Sequence, residues 1–357
     1  MRGSFKIAEV AGISINIHVT FILLVILFGK MFFFVLAVFF FVTIHELAHS
    51  LVAKKFGINV REITLLPIGG VASMARMPEK PYQEFLISLA GPLTNIAVII
   101  IFYFPVKLLT GDDVFFAALR SFFTGTMPII FMPRFIFAQI YWINLVLAAF
   151  NLLPAFPMDG GRILRSVLAQ RYGLQKATKI AVNFGHIFAL LFGYIGLTHG
   201  RIMLLVIAVF IYMAASSEEL QVDLRATLSR FRVKDILKQQ FITLQPDATL
   251  SKVLELIFRS HQEDFPVIDA EDDRMVGFIT RYDVINGIHQ FGVSGGVSSV
   301  MRKDIPSVSE YETLDTAQSI MQNNELKALP VMRYGKVIGI ITTEDISRVY
   351  TMMSVRR

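Results

Sequence analysis

The chain has 357 residues, of which 54% are apolar and only 17% are charged. Soluble globular proteins carry about 25% charged residues, so this composition excludes an ordinary soluble protein and indicates a membrane protein. The net charge of +6 comes from residues 1–225, among the long apolar runs, where basic residues orient a chain in a bilayer; nothing indicates a nucleic-acid partner.

Six apolar runs predict a polytopic α-helical membrane protein with about six transmembrane helices, because a bilayer core of about 30 Å needs about 20 helical residues. The runs are 13–30, 31–54, 83–106, 136–155, 178–198 and 201–216. Basic residues follow the second and fourth runs, which favours cytoplasmic loops there. The segment 107–134, expected to be an interfacial helix or a loop, would then lie outside. Six spans place both termini in the cytoplasm.

The second span contains the sequence IHELAHS at residues 44–50. On a helix, His45 and His49 share one face and can bind one zinc ion, and Glu46 can act as general base on a zinc-bound water. The pattern is short enough to occur by chance. Here, however, it lies in an apolar run, where unpartnered polar groups cost several kcal/mol. The residues therefore predict one catalytic zinc ion per chain.

The segment from Asn59 to Met74 follows this span and is rich in strand-forming residues. It contains the pair Gly69 and Gly70, which favours a turn. The pattern predicts a β-hairpin. The segment lacks the apolarity of a span, so we expect a membrane-associated hairpin that lies on the bilayer or dips into it.

A Pro- and Gly-rich segment, NLLPAFPMDGGR at 151–162, follows the fourth span. Its prolines open the helix, so Asp159 can reach the metal as a third ligand; the alternative is that Asp159 belongs to a simple turn. Two histidines, one carboxylate and a water would complete a four-coordinate catalytic zinc. Asn151 could donate to the scissile carbonyl or the oxyanion, or else form a helix–helix hydrogen bond.

The soluble tail, from residue 226 onward, repeats itself. Two copies of one α/β unit of about 60 residues are the simplest interpretation. The matching segments are VKDIL at 233–237 with VSSVM at 297–301, DFPVI at 264–268 with ALPVM at 328–332, and VGFITRYDV at 276–284 with IGIITTEDI at 338–346. The expected domains are a transmembrane domain at 1–220 and two tail units at 228–290 and 291–357.

Four motifs together resemble the site-2 protease family of intramembrane zinc metallopeptidases. They are HELAHS, PIGGVA at 67–72, AGPLTN at 90–95 and NLLPAFPMDGGR. The resemblance covers most of residues 1–215. It implies regulated intramembrane proteolysis, in which single-span membrane proteins are cut near the cytoplasmic face.

The same resemblance implies a role for each matching residue. The zinc ligands would be His45, His49 and Asp159, the catalytic base would be Glu46, Asn151 and Pro157 would lie near the site, and Gly69 and Gly70 would belong to a membrane-dipping hairpin that holds substrate as an extended strand.

The tail resembles a tandem pair of CBS domains through GFITRYD at 277–283 and GIITTED at 339–345. The family pattern G-x-x-T-x-x-D implies that its Thr and Asp contact the ribose and phosphate of a nucleotide, with ATP or another adenine nucleotide expected. These residues are Thr280, Asp283, Thr342 and Asp345. The alternative is that they only cap the helix after a strand.

Two other classes of protein remain open. A transporter or channel gated by CBS domains would also join apolar spans to this tail. That function would not explain why the HELAH and Asp-Gly motifs occur together. A catalytically dead scaffold would not need Glu46. For a multi-pass protease of the cell membrane we expect lipid and a single-span substrate as partners, the CBS domains in the cytoplasm, and a homodimer through those domains.

Overall fold

The computed structural model describes residues 3–27, 32–67, 69–74, 80–124, 133–237, 240–260, 262–271 and 274–354. The chain divides into two compact units, Met1–Val222 and Asp223–Arg357. The first unit is mainly helical, and the second is an α/β tail. This division agrees with the change in composition near residue 226.

Among the described residues, seven helices belong to the membrane part or lead out of it. They are α1 (Thr20–Leu27), α2 (Phe32–Lys55), α3 (Pro81–Thr124), α4 (Pro133–Asn151), α5 (Asp159–Tyr172), α6 (Leu174–Thr198) and α7 (Ile202–Leu228). Within the described residues, four segments are long and apolar enough to cross a membrane: Phe32–Lys55, Pro81–Leu108, Leu174–Thr198 and Ile202–Leu228. Ile136–Asn151 is a shorter apolar helix. The multi-pass helical fold is therefore confirmed, although the count of six is not.

The first predicted span, 13–30, is wrong. Strand β2 (Ile13–His18) occupies its beginning, and α1 starts only at Thr20, with 8 residues in the described part of the chain. The alternation of isoleucine with polar residues in ISINIH is the pattern of a half-buried strand, and it buries Ile13 and Ile15. Because residues 13–30 are apolar overall, the alternation of apolar and polar residues at every second position was overlooked.

The segment 107–134 also differs from one of its two predicted forms. Helix α3 continues without interruption to Thr124, so a loop is wrong for residues 107–124. Residues 125–132 lie outside the described part of the chain. Pro92 and Pro105 both lie inside α3.

The predicted hairpin is confirmed as strands β3 (Val60–Leu66) and β4 (Gly69–Met74), which pair antiparallel with Leu66 opposite Gly69. It belongs to a larger sheet with the strand order β1-β2-β3-β4, in which β1 (Ser4–Val10) pairs antiparallel with β2, and β2 pairs parallel with β3. The apolar face of this sheet packs on α2. Strand β4 is therefore an edge strand held beside the helix that carries HELAH.

The start of α5 packs tightly on the irregular segment before it. A Cβ at Gly160 would lie 2.2 Å from the carbonyl oxygen of Leu153, and one at Gly161 would lie 2.5 Å from the carbonyl carbon of Ala155. Glycine is therefore required at both positions for the segment to fold back on the helix. This turn fixes Asp159 as the first residue of α5.

A buried ion-pair network joins three helices of this unit. Arg165 on α5 is only 4% exposed and pairs with Glu84 on α3 and with Glu218 on α7. Its guanidinium also lies 4.7 Å from the ring centroid of Phe156. Since a buried guanidinium is costly unless it is paired, these contacts hold α5 in one orientation.

The tail contains two copies of one strand–strand–helix unit, as the sequence repeat predicts. The first copy contains α8 (Leu250–Arg259), β5 (Phe265–Ile268), β6 (Met275–Ile279) and α9 (Arg281–Phe291). The second contains β7 (Val308–Ser309), α10 (Leu314–Asn323), β8 (Ala328–Arg333), β9 (Lys336–Thr342) and α11 (Thr343–Ser354). In each copy, two antiparallel strands are followed directly by a helix.

The segment that precedes each copy in the chain packs into the core of the other copy. Val233, from the VKDIL segment, is fully buried in a core with Leu314 and Ile341 of the second copy. Val297, from the VSSVM segment, is fully buried in a core with Phe265 of the first copy. Each core is therefore completed by a segment that precedes the other copy in the chain.

Candidate metal centre

Three side chains of the first unit bring their donor atoms together. Helix α2 presents His45 and His49 one turn apart, and α5 begins with Asp159. Oδ2 of Asp159 lies 3.0 Å from Nε2 of His45 and 3.1 Å from Nε2 of His49, and the two Nε2 atoms are 3.1 Å apart. The structure thus unites residues more than 100 positions apart in the chain.

The donor set fits a zinc ion. All three ligand atoms lie within 4.8 Å of one another. Both histidines are buried, with relative exposures of 4% and 5%. Two imidazole nitrogens and one carboxylate oxygen form a typical set for catalytic zinc, which keeps a fourth position for water or substrate.

Helix α3 orients both imidazole rings through contacts at their Nδ1 atoms. Nδ1 of His49 lies 2.6 Å from the carbonyl oxygen of Ile87, which can only accept, so Nδ1 donates its proton there. Nδ1 of His45 lies 2.5 Å from Oδ1 of Asn95. Such outer partners fix the ring orientation, and at His49 they leave the lone pair on Nε2, which faces the centre of the cluster.

Gly91 lets α3 approach the histidines this closely. A Cβ at this position would lie 2.3 Å from Nε2 of His49 and 2.6 Å from Nε2 of His45. Gly91 and Asn95 both belong to AGPLTN, but the motif by itself predicts no role for either residue. Their four-residue spacing on a helix, with a glycine inside an apolar span, was the available signal.

Glu46 lies next to the cluster, and strand β4 lies against it. A Cβ at Gly70 would lie 2.7 Å from Cγ of Glu46 and 3.4 Å from Val42. Gly69, the first residue of β4, has φ +138°, which favours glycine. Both predicted glycines therefore lie in β4 and not in the turn itself. Gly69 supplies the backbone conformation at the start of the strand, and Gly70 lets the strand lie close to the Glu46 side chain.

Asn151 and Pro157 lie close to Asp159 in the sequence, but neither belongs to the cluster of three metal-binding side chains. Asn151 ends α4, and its Nδ2 donates to the carbonyl oxygen of Leu147 on the same helix at 3.0 Å. Pro157 follows a cis peptide bond and lies two residues before Asp159. Their expected part in substrate binding stays a prediction.

In the tail, Thr280 and Asp283 form a reciprocal cap at the start of α9. The amide of Asp283 donates to Oγ1 of Thr280, and Oδ2 of Asp283 accepts from the amide of Thr280 at 3.1 Å. Arg302 adds a two-point ion pair to the same carboxylate, with Nη2 2.9 Å from Oδ1. Burial raises the pKa of the neighbouring Asp264 carboxyl, although the amide of Arg281 donates to it.

The second copy repeats this arrangement. Oγ1 of Thr342 donates to Oδ2 of Asp345 at 2.8 Å, and the amide of Asp345 donates back to Oγ1 at 3.2 Å. The capping alternative therefore describes both Thr–Asp pairs as they stand. A ligand role would have to use the carboxylates in addition to the cap.

Two sequence families match this chain. The family described as Peptidase family M50 matches residues 33–192, which include His45, His49 and Asp159. The family described as CBS domain matches residues 233–290 and 297–351.

Individual relatives extend these matches. A zinc metalloprotease of Methanocaldococcus jannaschii is 33% identical over 365 residues, which cover 100% of this chain and 98% of the relative. The Rip3 protein of Mycobacterium tuberculosis is 26% identical over 319 residues, which cover 85% of this chain and 76% of Rip3. A solved structure of a site-2 protease from Methanocaldococcus jannaschii is 36% identical, covers 60% of this chain and 95% of that chain, and has a TM-score of 0.46.

Proposed function

Because this chain belongs to peptidase family M50, the site-2 proteases, and carries a tandem CBS pair, we propose that it cuts single-span membrane proteins near the cytoplasmic face. It is a zinc metalloendopeptidase with a multi-pass membrane part. The observation that carries the proposal is the cluster of His45, His49 and Asp159 at a membrane-spanning helix. Membership of a peptidase family leaves no support for the transporter or channel alternative.

The proposed roles follow from the geometry of the cluster. His45, His49 and Asp159 would hold zinc through two Nε2 atoms and one carboxylate oxygen. When bound, zinc supplies Lewis acidity, which lowers the pKa of water and polarises a carbonyl oxygen. Glu46 takes the proton of the attacking water on its carboxylate and then delivers it to the leaving amine.

Strand β4 offers a way to hold the substrate. A transmembrane helix has all its backbone groups paired internally, so it must unwind before a peptide bond can be cut. An extended segment could then pair with the edge strand β4, as in other cases of strand addition. Because Gly70 has no side chain, β4 can lie close to Glu46, and a segment paired with β4 would be held near this carboxylate. Asn151 and Pro157 would complete the substrate side, with Asn151 donating to the scissile carbonyl.

The proposed orientation puts the site near the cytoplasm. Lys54 and Lys55 end α2, and Lys55 is six residues after His49, which is about 9 Å along a helix. Basic residues at the end of a span favour the cytoplasmic side. Both termini and the CBS domains would lie on that side as well.

Cleavage in reconstituted vesicles tests this function. The substrate is a single-span protein with a different tag at each end, and the expected products are two fragments whose new ends lie within the span, in its cytoplasmic half. The Glu46→Gln protein serves as the inactive control. Cleavage confined to the water-soluble parts of the substrate would contradict the proposal, and so would equal cleavage by the control.

The second part of the proposal is that an adenine nucleotide binds the CBS pair and changes the rate of proteolysis. A carboxylate can accept hydrogen bonds from both hydroxyls of a ribose, and the Thr–Asp arrangement occurs at matching positions in both copies. A ligand can shift the protease only through its different affinities for two arrangements of the tail. A typical coupling would change activity by about 5–150-fold.

Calorimetric titration of the full-length protein in detergent with ATP, ADP and AMP tests the nucleotide proposal. We expect binding by the wild-type protein, and none at millimolar nucleotide by Asp283→Ala/Asp345→Ala. Asp315→Ala is the matched control, because it removes a carboxylate from the first turn of α10 instead. If the wild-type protein binds none of the three, nucleotide sensing is wrong; if binding survives the double substitution, the assigned residues are wrong.

A further inference from the structure

On the Nδ1 side of His45, a chain of hydrogen-bonded, buried amide side chains connects α2, α3 and α4. Oδ1 of Asn95 on α3 lies 2.5 Å from Nδ1 of His45, and Nδ2 of Asn95 donates to Oδ1 of Asn144 on α4 at 2.8 Å. Nδ2 of Asn144 donates in turn to the backbone carbonyl oxygen of Ile140 at 2.9 Å. Asn95 and Asn144 are 1% and 0% exposed, so water cannot replace these partners.

The last member of the chain determines the direction of all the bonds. A backbone carbonyl oxygen can only accept, so Asn144 must turn its amide nitrogen to Ile140 and its amide oxygen to Asn95. Asn95 must then donate to Asn144 with its nitrogen and turn its oxygen to the imidazole. Nδ1 of His45 must therefore carry the proton.

We propose that Asn144 and Asn95 are positioning residues that fix the tautomer of His45 and so present the Nε2 lone pair to the metal. Helix α4 thereby acts on the metal centre although it contributes none of the three ligands. The two histidines reach the same state by different routes, since a backbone carbonyl of α3 holds His49 directly. This inference rests on the proposed function of His45 as a zinc ligand.

A purely structural explanation competes with this one. Asn144 could serve only to hold α4 against α3, as buried polar side chains do in membrane helices. In that case its loss would lower the stability of the protein but leave the affinity for zinc unchanged. The two explanations therefore differ in the metal affinity of folded variants.

Zinc affinity is measured on the full-length protein in detergent by competition with a chelator. We expect Asn95→Leu and Asn144→Leu each to weaken zinc binding by about 10–100-fold, the usual cost of losing an outer partner. Asn144→Asp loses the bond to Ile140 but still accepts from Asn95, so we expect its zinc affinity to stay close to that of the wild type. Thr94→Val is the matched control, because its hydroxyl donates to the backbone carbonyl oxygen of Ala90 on its own helix.

A double substitution decides the case if Asn144→Asp does not fold. When Asn95 is already leucine, Asn144 no longer has a route to His45, so Asn95→Leu/Asn144→Leu should bind zinc as Asn95→Leu does. Unchanged zinc affinity in folded Asn144→Leu, equal losses in the leucine and aspartate variants, or additive losses in the double variant would each overturn the proposal. Full zinc retention by His45→Ala would instead refute the ligand assignment beneath it.

Discussion

Replacing Gly91 by alanine is expected to remove zinc from a protein that still folds. The added Cβ would lie 2.3 Å and 2.6 Å from the two histidine Nε2 atoms, which is far inside van der Waals contact. Helix α3 cannot easily withdraw, because Ile87 and Asn95 bond the same two rings. The methyl group therefore takes the space between the nitrogens that would hold the metal. Helix propensity favours alanine over glycine, so the backbone gives no separate reason for unfolding.

Zinc per chain, measured by elemental analysis of purified protein, checks this expectation. The wild type should contain about one zinc ion, whereas Gly91→Ala should resemble the His45→Ala/His49→Ala protein and contain almost none. Gly193→Ala on α6 is the matched control, because its Cβ would meet the nearest atom at an ordinary 3.8 Å. Stoichiometric zinc in folded Gly91→Ala would show that the metal lies elsewhere.

Glu46→Gln is expected to abolish most proteolysis while leaving zinc and fold intact. Glutamine keeps the size of the side chain beside Gly70 but cannot take a proton from water. Loss of a general base typically lowers the rate by about 10²–10⁴-fold. The measurement is the initial rate of cleavage of the single-span substrate in vesicles, together with zinc content.

The matched control for this change is Glu219→Gln on α7, which removes a more exposed carboxylate that lies 3.8 Å from Lys179. Its rate should equal that of the wild type. Cleavage by Glu46→Gln at the wild-type rate would require another base. Loss of zinc from Glu46→Gln would mean that the carboxylate holds the metal instead of moving a proton.

The local part of the centre could be predicted from the sequence, because it depends on short spacings. His45 and His49 share a helix face by their separation alone, and the prolines before Asp159 indicated a broken helix. The contribution of α3 could not be predicted in this way. A carbonyl oxygen such as that of Ile87 has no sequence signature, and the close approach at Gly91 depends on how two helices pack.

The fold shows the same difference, since pairing between neighbouring segments could be predicted from the sequence and pairing between distant segments could not. The hairpin from Val60 to Met74 was predicted because its strands are adjacent in the chain. The parallel pairing of β2 with β3 joins residues nearly 50 positions apart, and β2 was mistaken for the start of a membrane span. An isoleucine-rich strand and a short apolar helix have the same composition, so only the alternation in ISINIH distinguishes them.

The exchange of preceding segments in the tail has a consequence for how that unit folds. Neither repeat contains a complete core within its own stretch of chain, since Val233 belongs with the second copy and Val297 with the first. The pair must therefore fold and unfold cooperatively, and neither repeat can be cut out as an independent domain. Leu228, the last residue of α7, is also fully buried in the core of the second copy. A ligand that stabilises either repeat would thus stabilise both, together with the end of the helix that leads back to the membrane.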